Sequence, residues 1–304
     1  MSILQKKGIG LVNKIETTLR NTPGGRYHFE LAVIMRNALL ISSVISCSKV
    51  WYNLTEWEYR KLEQTEEMLL KKIFNCSSQI FSETLYLELG LMPIRFIIML
   101  RRIVYLQHIL KQKSEQTLLY RYFKAQLEHP TTNYWVSTAV QDLCKLETNL
   151  ELIQIENMSE EKYKNICKTK VEALAFKYLI EKKDTRKIKS SIKYDCLKMT
   201  KYLQKDDLGY SVKEKQNLFQ CRNNDIDVKA NRSWKYQDMN CKACNEPNQI
   251  ETQQHVLCCK PLINRNLKIS YIPVYNDLFS DSIEDQIYTS NMVCENLRIS
   301  QAPT

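Results

Sequence analysis

The chain of 304 residues has a net charge of +10 and contains only six glycines and seven prolines. This composition argues against a sheet-rich protein and favours an all-α fold built from several helices. The positive charge indicates a polyanionic partner, and residues 1–30 contain no continuous apolar stretch of the kind found in signal peptides.

The number and spacing of the cysteines indicate the redox state of the protein's cellular compartment. Eleven cysteines, an odd number, are scattered without a regular framework. This is typical of reduced thiols and predicts an intracellular protein of the nucleus or cytoplasm. The longest apolar run, Leu31–Cys47, is interrupted by Arg36 and Asn37 and is shorter than a membrane-spanning helix of about 20 residues. We therefore predict a buried helix here and no membrane partner.

The N-terminal part predicts a series of helices. Met1–Arg26 is amphipathic and basic, and Leu31–Tyr52 is apolar on almost all sides, as in a central helix. Thr55 followed by Glu58 forms the capping-box pattern at the start of the next helix, which runs to about Phe74.

Helical patterns continue along the chain. Gly90 is placed to close a short helix, and Pro93 to begin a long one that reaches about Lys111. Further helices follow, and the more acidic stretch Gln141–Glu161 marks a boundary. We predict a helical domain over residues 1–150, a basic helical connector over 151–230, and a metal-binding region with a C-terminal helix over 231–304.

The positive charge is local. Lys162–Lys205 contains fourteen Lys or Arg against four Asp or Glu, so that this segment alone has a net charge of +10. Several tyrosines are interleaved with these lysines. A solvated helix face is one interpretation, because lysine is a common surface residue. A nucleic-acid-binding surface is the other, because lysines neutralise phosphates and tyrosines stack on bases.

The stretch Cys241–Cys259 has the spacing of a metal site. Cys241 and Cys244 form a Cys-x-x-Cys pair, and His255 and Cys259 are four residues apart, which places them on one face of a helix. Zn²⁺ is commonly held by four such N and S ligands, and four protein ligands leave no position open for water. We therefore predict one structural Zn²⁺ held by Cys241, Cys244, His255 and Cys259.

Two alternatives accompany this assignment. Cys258 is a rival fourth ligand, because a spacing of three also places it on the helical face of His255. Chance is the competing explanation of the pattern, since a chain with eleven cysteines contains some close pairs. Thr252 is a suitable N-cap for the short helix, and Pro261 is suitable for ending it.

No constellation of catalytic residues is found in the sequence. It contains no glycine-rich phosphate loop and no Gly-x-Ser-x-Gly elbow. Asp206-Asp207 is the only pair of adjacent aspartates, but its flanks are helical and polar, whereas a polymerase would place such a pair between apolar strands. We predict no catalytic residues and no polymerase activity of the chain by itself.

Stretches along nearly the whole chain resemble the thumb and zinc knuckle of non-LTR (LINE-type) retrotransposon reverse transcriptases. The thumb-like stretches are Leu39-Leu40-Ile41-Ser42-Ser43, Lys49-Val50-Trp51-Tyr52, Leu62-Glu63-Gln64, Met68-Leu69-Leu70-Lys71-Lys72-Ile73, Leu85-Tyr86-Leu87-Glu88-Leu89-Gly90, Pro93-Ile94-Arg95, Arg101-Arg102 and Leu218-Phe219-Gln220-Cys221-Arg222. Cys241–Cys259, with Glu251-Thr252 ahead of its histidine, is similar to the family's Cys-Cys-His-Cys knuckle. The fingers, and a palm with catalytic aspartates, are not found in this sequence.

The resemblance implies a C-terminal, nucleic-acid-binding fragment of a reverse transcriptase. A thumb holds RNA or an RNA/DNA duplex by its phosphates, and such contacts carry no sequence information. With the lysines of the basic segment included, the implied contacts are Lys71, Lys72, Arg95, Arg101, Arg102, Lys182, Lys183, Lys187, Lys189 and Arg222.

Two other functions stay open at this point. The chain could be the non-catalytic part of an RNA-directed DNA polymerase that a separate palm-bearing reverse transcriptase completes. It could also be a helical interaction scaffold, or a decayed element, with a structural zinc and no selected activity. Binding to RNA distinguishes the nucleic-acid-binding function from the scaffold.

Overall fold

A computed structural model describes residues 2–22, 28–77, 79–112, 117–129, 134–147, 151–185, 194–204, 210–223, 225–226, 238–244, 249–265, 275–280 and 282–301. Within these ranges the protein is all-α, which confirms the predicted fold class, and the only β-pairing is an isolated antiparallel bridge between Asn240 and Ile250. None of the helices described there combines the length and hydrophobicity needed to cross a membrane.

The α-helices of the described residues are, in chain order, α1 (Ser2–Asn21), α2 (His28–Met35), α3 (Ser42–Val44), α4 (Glu56–Phe74), α5 (Ser82–Leu89), α6 (Ile94–Lys111), α7 (Leu118–Glu128), α8 (Trp135–Lys145), α9 (Leu152–Asn157), α10 (Glu160–Thr185), α11 (Val212–Arg222), α12 (Gln253–Cys258), α13 (Lys260–Arg265) and α14 (Ile283–Gln301).

Local sequence signals account for several of these boundaries. The predicted capping box of α4 is confirmed: the Glu58 amide donates to the Thr55 hydroxyl over 3.3 Å, and the Thr55 amide donates to the Glu58 carboxylate over 2.9 Å. Gly90 closes α5 in the left-handed conformation, and Pro93 caps α6, both as predicted. These ends are set by residues close in the chain, so the sequence alone was sufficient to locate them.

The prediction of a single helix over Leu31–Tyr52 is wrong. After α2 the chain forms a π-helical turn, Arg36–Ile41, and α3 ends at Val44. The wide turn coincides with the buried Arg36 guanidinium, which donates to the buried Glu66 carboxylate of α4. The chain then leaves the helix at Ile45, whose carbonyl accepts a hydrogen bond from Arg101. Charged groups distant in sequence therefore interrupt an otherwise uniform apolar pattern.

Two apolar cores organise the helices. The first contains α1, α2, α4 and α5 together with the C-terminal α11, α12 and α14, and at its centre the rings of Phe74 and Phe219 stack with centroids 3.9 Å apart. The second contains most of α6, together with α7, α8, α9 and the first part of α10. Side chains of α6 and α10 enter both cores. Residues of the first and third predicted segments thus pack in one core.

Gly90 marks a close approach of two backbones. Its φ is +62°, and a Cβ built on it would lie 2.3 Å from the backbone of Lys198 and Met199. The Thr200 amide donates to the Glu88 carbonyl over 2.9 Å at the same place. Only glycine, which has no Cβ and tolerates a positive φ, allows residues 194–204 to lie directly on the end of α5.

We expect Gly90→Ala to destabilise the protein by about 2 kcal/mol or more, because the left-handed strain of a residue with a Cβ adds to the displacement of the facing backbone. The matched control is Gly10→Ala in α1, where a Cβ would meet nothing within 4 Å. That change should be neutral or stabilise by up to about 1 kcal/mol. Urea unfolding midpoints measure both. Equal midpoints for the two variants would contradict the close approach.

Candidate metal centre and basic surfaces

The four predicted metal ligands converge at one point. The antiparallel bridge between Asn240 and Ile250 brings the chain that follows the Cys-x-x-Cys pair back beside the chain that precedes it. The Cys241 amide supports this bridge by donating to the Gln249 carbonyl over 2.7 Å. The Sγ atoms of Cys241 and Cys259 are 3.9 Å apart, and Cys244 Sγ is 3.5 Å from His255 Nε2. All four ligand atoms lie within 4.8 Å of one another. The cluster can therefore hold a metal ion.

The short helix α12 carries the histidine into the cluster. Its predicted N-cap is confirmed, since the Thr252 hydroxyl accepts a hydrogen bond from the His255 amide over 3.0 Å. The helix ends at Cys258, and Cys259 follows as its C-cap. Pro261 lies in the first turn of the next helix, α13, where a missing N–H costs no helical hydrogen bond.

The structure distinguishes between the two rival fourth ligands. Cys258 is exposed, and its thiol is directed back to the carbonyls of Gln254, at 3.2 Å, and His255, at 3.6 Å. Cys259 is buried and belongs to the cluster. Burial, together with the neighbouring Cys241 thiol, raises the pKa of Cys259 to about 12. A bound cation would favour the thiolate form that ligates metals.

The cluster is anchored to the body of the protein. Cys241 and Cys259 belong to the first apolar core, as do Val256 and Leu257 of α12. The side-chain amide of Asn296 in α14 donates to the Val256 carbonyl over 3.0 Å. The metal-binding region and the C-terminal helix therefore form one packed unit with the rest of the first core.

We expect the protein, purified under reducing conditions, to contain one metal ion per chain. Cys259→Ser should abolish binding, because it removes a buried ligand of the cluster, whereas the matched variant Cys258→Ser should retain a full equivalent. Elemental analysis of the purified proteins measures this. Loss of metal from Cys258→Ser with full retention in Cys259→Ser would place the fourth ligand at position 258.

Two arginines of the predicted nucleic-acid set are used inside the protein. Arg102 is only 1% exposed, and its guanidinium lies 2.6 Å from the buried Asp142 carboxylate of α8. Arg95 pairs with Glu63 and, over 2.7 Å, with Glu56, both in α4. Carboxylates engage both guanidiniums, so these arginines join α6 to its neighbouring helices. Arg102 in particular is not accessible to a phosphate.

Lys71 and Lys72 lie in the last turn of α4. Lys72 pairs with Glu16 of α1, and Lys71 is half-buried. Positive charge in the last turn stabilises a helix, because the carbonyl ends of its peptide dipoles lie there. Both lysines therefore have a structural reason to be present, independent of any nucleic acid.

The described part of the basic segment contains buried tyrosines and exposed lysines. Within α10, Tyr163 is fully buried, whereas Lys164, Lys168 and Lys182 are exposed. Tyr202, further along, is also buried. These two tyrosines are core residues and present no face for base stacking, while the exposed lysines line the solvent side of the helix.

Three further lysines were predicted to contact nucleic acid. One is buried, and the other two lie outside the described ranges. Lys183 is 7% exposed, and burial lowers its pKa. Lys187 and Lys189 lie outside the described residues, as does Asp206-Asp207. Their predicted roles stay predictions.

A basic cleft lies between residues 42–49, α6 and the start of α10, with a volume of about 970 Å³. Its lining includes Lys49, Arg101, Lys164 and Lys168, of which only Arg101 belongs to the predicted set. Lys164 and Lys168 are one turn apart on α10, and this spacing inside the basic segment was the signal available for them. Lys49 comes from a different part of the chain, so no local pattern connects it to the others.

The lining of the cleft includes an aromatic group. The Lys49 Nζ lies 4.5 Å from the centroid of the Tyr105 ring, and the His108 ring stacks on Tyr105 with centroids 5.7 Å apart. Two carboxylates, Glu160 and Glu161, also line the cleft and are exposed. The cleft therefore offers a flat half-buried ring among a small excess of positive charge.

A scan against protein-family models and searches of the curated proteins and of the solved structures found no match to this chain. The resemblance to LINE-type reverse transcriptases therefore stays a prediction, and the geometry of the metal cluster and the cleft is the basis for a functional proposal.

Proposed function

We propose that the chain binds RNA or an RNA/DNA duplex by its phosphate backbone in the cleft between α6 and α10. The observation that carries this proposal is the convergence of four basic side chains from three separate elements on one hollow. Lysine and arginine neutralise phosphates and release their condensed counterions, which provides most of the affinity of sequence-independent binding.

The charges of the cleft favour one path for a bound strand. Four cationic groups face two exposed carboxylates, Glu160 and Glu161, which precede Lys164 by one turn of α10. Phosphates avoid these carboxylates, so we place the strand along Lys164 and Lys168, with Lys49 and Arg101 on the opposite wall. The Tyr105 ring also lines the cleft, where the Lys49 ammonium lies over it and the His108 ring stacks on it, so a base could reach this ring only by displacing one of these groups.

We further propose that the ion of the metal cluster is Zn²⁺ in a structural role. A tetrahedron with Zn–S bonds of about 2.3 Å and a Zn–N bond of about 2.0 Å places two sulfurs about 3.8 Å apart and sulfur and nitrogen about 3.5 Å apart. The two measured separations, 3.9 Å and 3.5 Å, agree with these values. Three thiolates and one imidazole fill the coordination sphere, which leaves no site for a reacting water.

This function agrees with what the resemblance implies. A helical body that holds a duplex by its phosphates, followed by a zinc-fixed C-terminal part, corresponds to the thumb and knuckle of a LINE-type reverse transcriptase. On this proposal a palm-bearing reverse transcriptase is the protein partner, and the present residues position the nucleic acid without catalysing the reaction.

The test is a salt titration of RNA binding by Lys164→Gln/Lys168→Gln. Removing two phosphate contacts should make the slope of log K against log salt shallower by about 1.4 on single-stranded RNA, since each contact contributes about 0.7. Fluorescence anisotropy with labelled RNA oligonucleotides of several unrelated sequences measures the association constant K at each salt concentration.

The matched control is Lys14→Gln/Lys213→Gln, which removes the same charge from exposed lysines that do not line the cleft. Its slope should equal that of the wild type. Equal losses in both double variants would show that net charge alone, and not the cleft, attracts RNA. A wild-type protein that does not bind RNA at about 0.15 M salt would favour the scaffold function.

A further inference from the structure

A second cavity, of about 670 Å³, is lined by residues of the 194–204 segment, the end of α11, and the chain leading into α14. It shares no lining residue with the basic cleft. Among the residues that the structure describes, its charged lining residues are Lys198, Lys201 and Arg222, against one carboxylate, Asp195. The cavity therefore has an excess of positive charge of its own.

The wall of this cavity is fixed to the first core. Glu88 is fully buried, and its carboxylate accepts hydrogen bonds from the Tyr194 hydroxyl over 2.9 Å and the Thr200 hydroxyl over 2.8 Å. The backbone of residues 198–200 lies directly on Gly90, as described above. These contacts fix the backbone of residues 198–200 against α5. The side chains of Lys198 and Lys201 are exposed.

Arg222 has unused hydrogen-bonding capacity in this cavity. Its guanidinium lies 5.1 Å from the Tyr202 ring centroid and makes one long hydrogen bond of 3.3 Å, to Gln286. Among the described residues, its Nε is buried without a hydrogen-bond partner. Burial opposes its charge, yet the nearby Glu88 carboxylate raises the pKa of Arg222. The carboxylate oxygens of Glu88 accept hydrogen bonds from Tyr194 and Thr200. Among the described residues, the charged guanidinium of Arg222 therefore has no direct carboxylate partner.

From this arrangement we infer that the cavity binds the phosphate group of a phosphate monoester, such as that of a nucleotide. A buried donor without a partner is costly, and an anion in the cavity would supply the acceptor. Guanidinium binds phosphate through pairs of N–H donors, and the two lysines supply the rest of the neutralising charge. A monoester carries a charge of about −1.5 to −2 at neutral pH, which matches the local excess better than a carboxylate does.

The volume of the cavity exceeds that of a bare phosphate group. Pockets of about 300–1,000 Å³ hold small organic ligands, and the value here lies in that range. The half-buried Phe279 and Ile283 supply apolar surface on the C-terminal side of the cavity. A nucleoside could lie there while Arg222 holds its phosphate.

Isothermal titration calorimetry of the full chain tests this inference with inorganic phosphate, adenosine monophosphate and adenosine as probes. Saturable binding is expected for the first two and not for adenosine. Tighter binding of the monophosphate identifies a nucleotide as the source of the phosphate, and equal affinities identify free phosphate. Arg222→Gln should weaken binding by about tenfold or more, and Lys213→Gln, an exposed site in the same helix, should leave it unchanged.

Two comparisons keep this test separate from that of the cleft. Lys164→Gln/Lys168→Gln should bind the monophosphate like the wild type, and Arg222→Gln should keep the wild-type salt slope on RNA with a 5′-hydroxyl end. If Arg222→Gln fails to fold by circular dichroism, Lys198→Gln/Lys201→Gln replaces it, since both side chains are exposed. Binding of the monophosphate that survives in the folded variant, or absence of saturable phosphate binding in the wild type, would overturn the inference.

Discussion

Three cysteine thiols and one imidazole lie within 4.8 Å of one another near the C-terminus, and this crowding is the constraint on which the C-terminal part of the structure depends. Thiolates placed so close repel one another unless a cation lies between them. A metal bound by Cys241 and Cys259 would link the chain around Cys241 to the C-terminal end of α12. The Asn296 side chain links α12 to α14 by its hydrogen bond to the Val256 carbonyl. Since α14 packs in the same core as α1 and α4, a bound ion would support the core that these N-terminal and C-terminal helices share.

The features that could be predicted from the sequence are those set by neighbours in the chain. Thr55 with Glu58, Gly90 after α5, and Thr252 before His255 act within one helical turn. The metal ligands belong to the same class, because the cysteine pair and the histidine-cysteine pair are each local. Cys259 was the predicted fourth ligand, but Cys258 stayed a rival because both spacings fit a helix. In the structure, burial and the direction of the two thiols separate them.

Features that depend on distant partners could not be predicted in this way. Arg36 meets Glu66, and Arg102 meets Asp142, across 30 and 40 residues of chain. An arginine that binds a phosphate and one that holds two helices together look alike in a sequence. The interrupted helix around Arg36 therefore came out wrong, and the cleft was missed because Lys49 joins it from a separate element.

Separate positive charges thus have separate tasks: ion pairs within the body, a cleft proposed for a nucleic-acid backbone, and a cavity proposed for a phosphate monoester. The metal centre is the central claim, because an ion held by its four ligands would join the chain around Cys241 to α12. X-ray absorption at the zinc edge, on protein loaded with one equivalent of Zn²⁺, tests this claim most directly. Three sulfurs at about 2.3 Å and one nitrogen at about 2.0 Å are predicted. A shell of oxygen and nitrogen, or of four sulfurs, would contradict it.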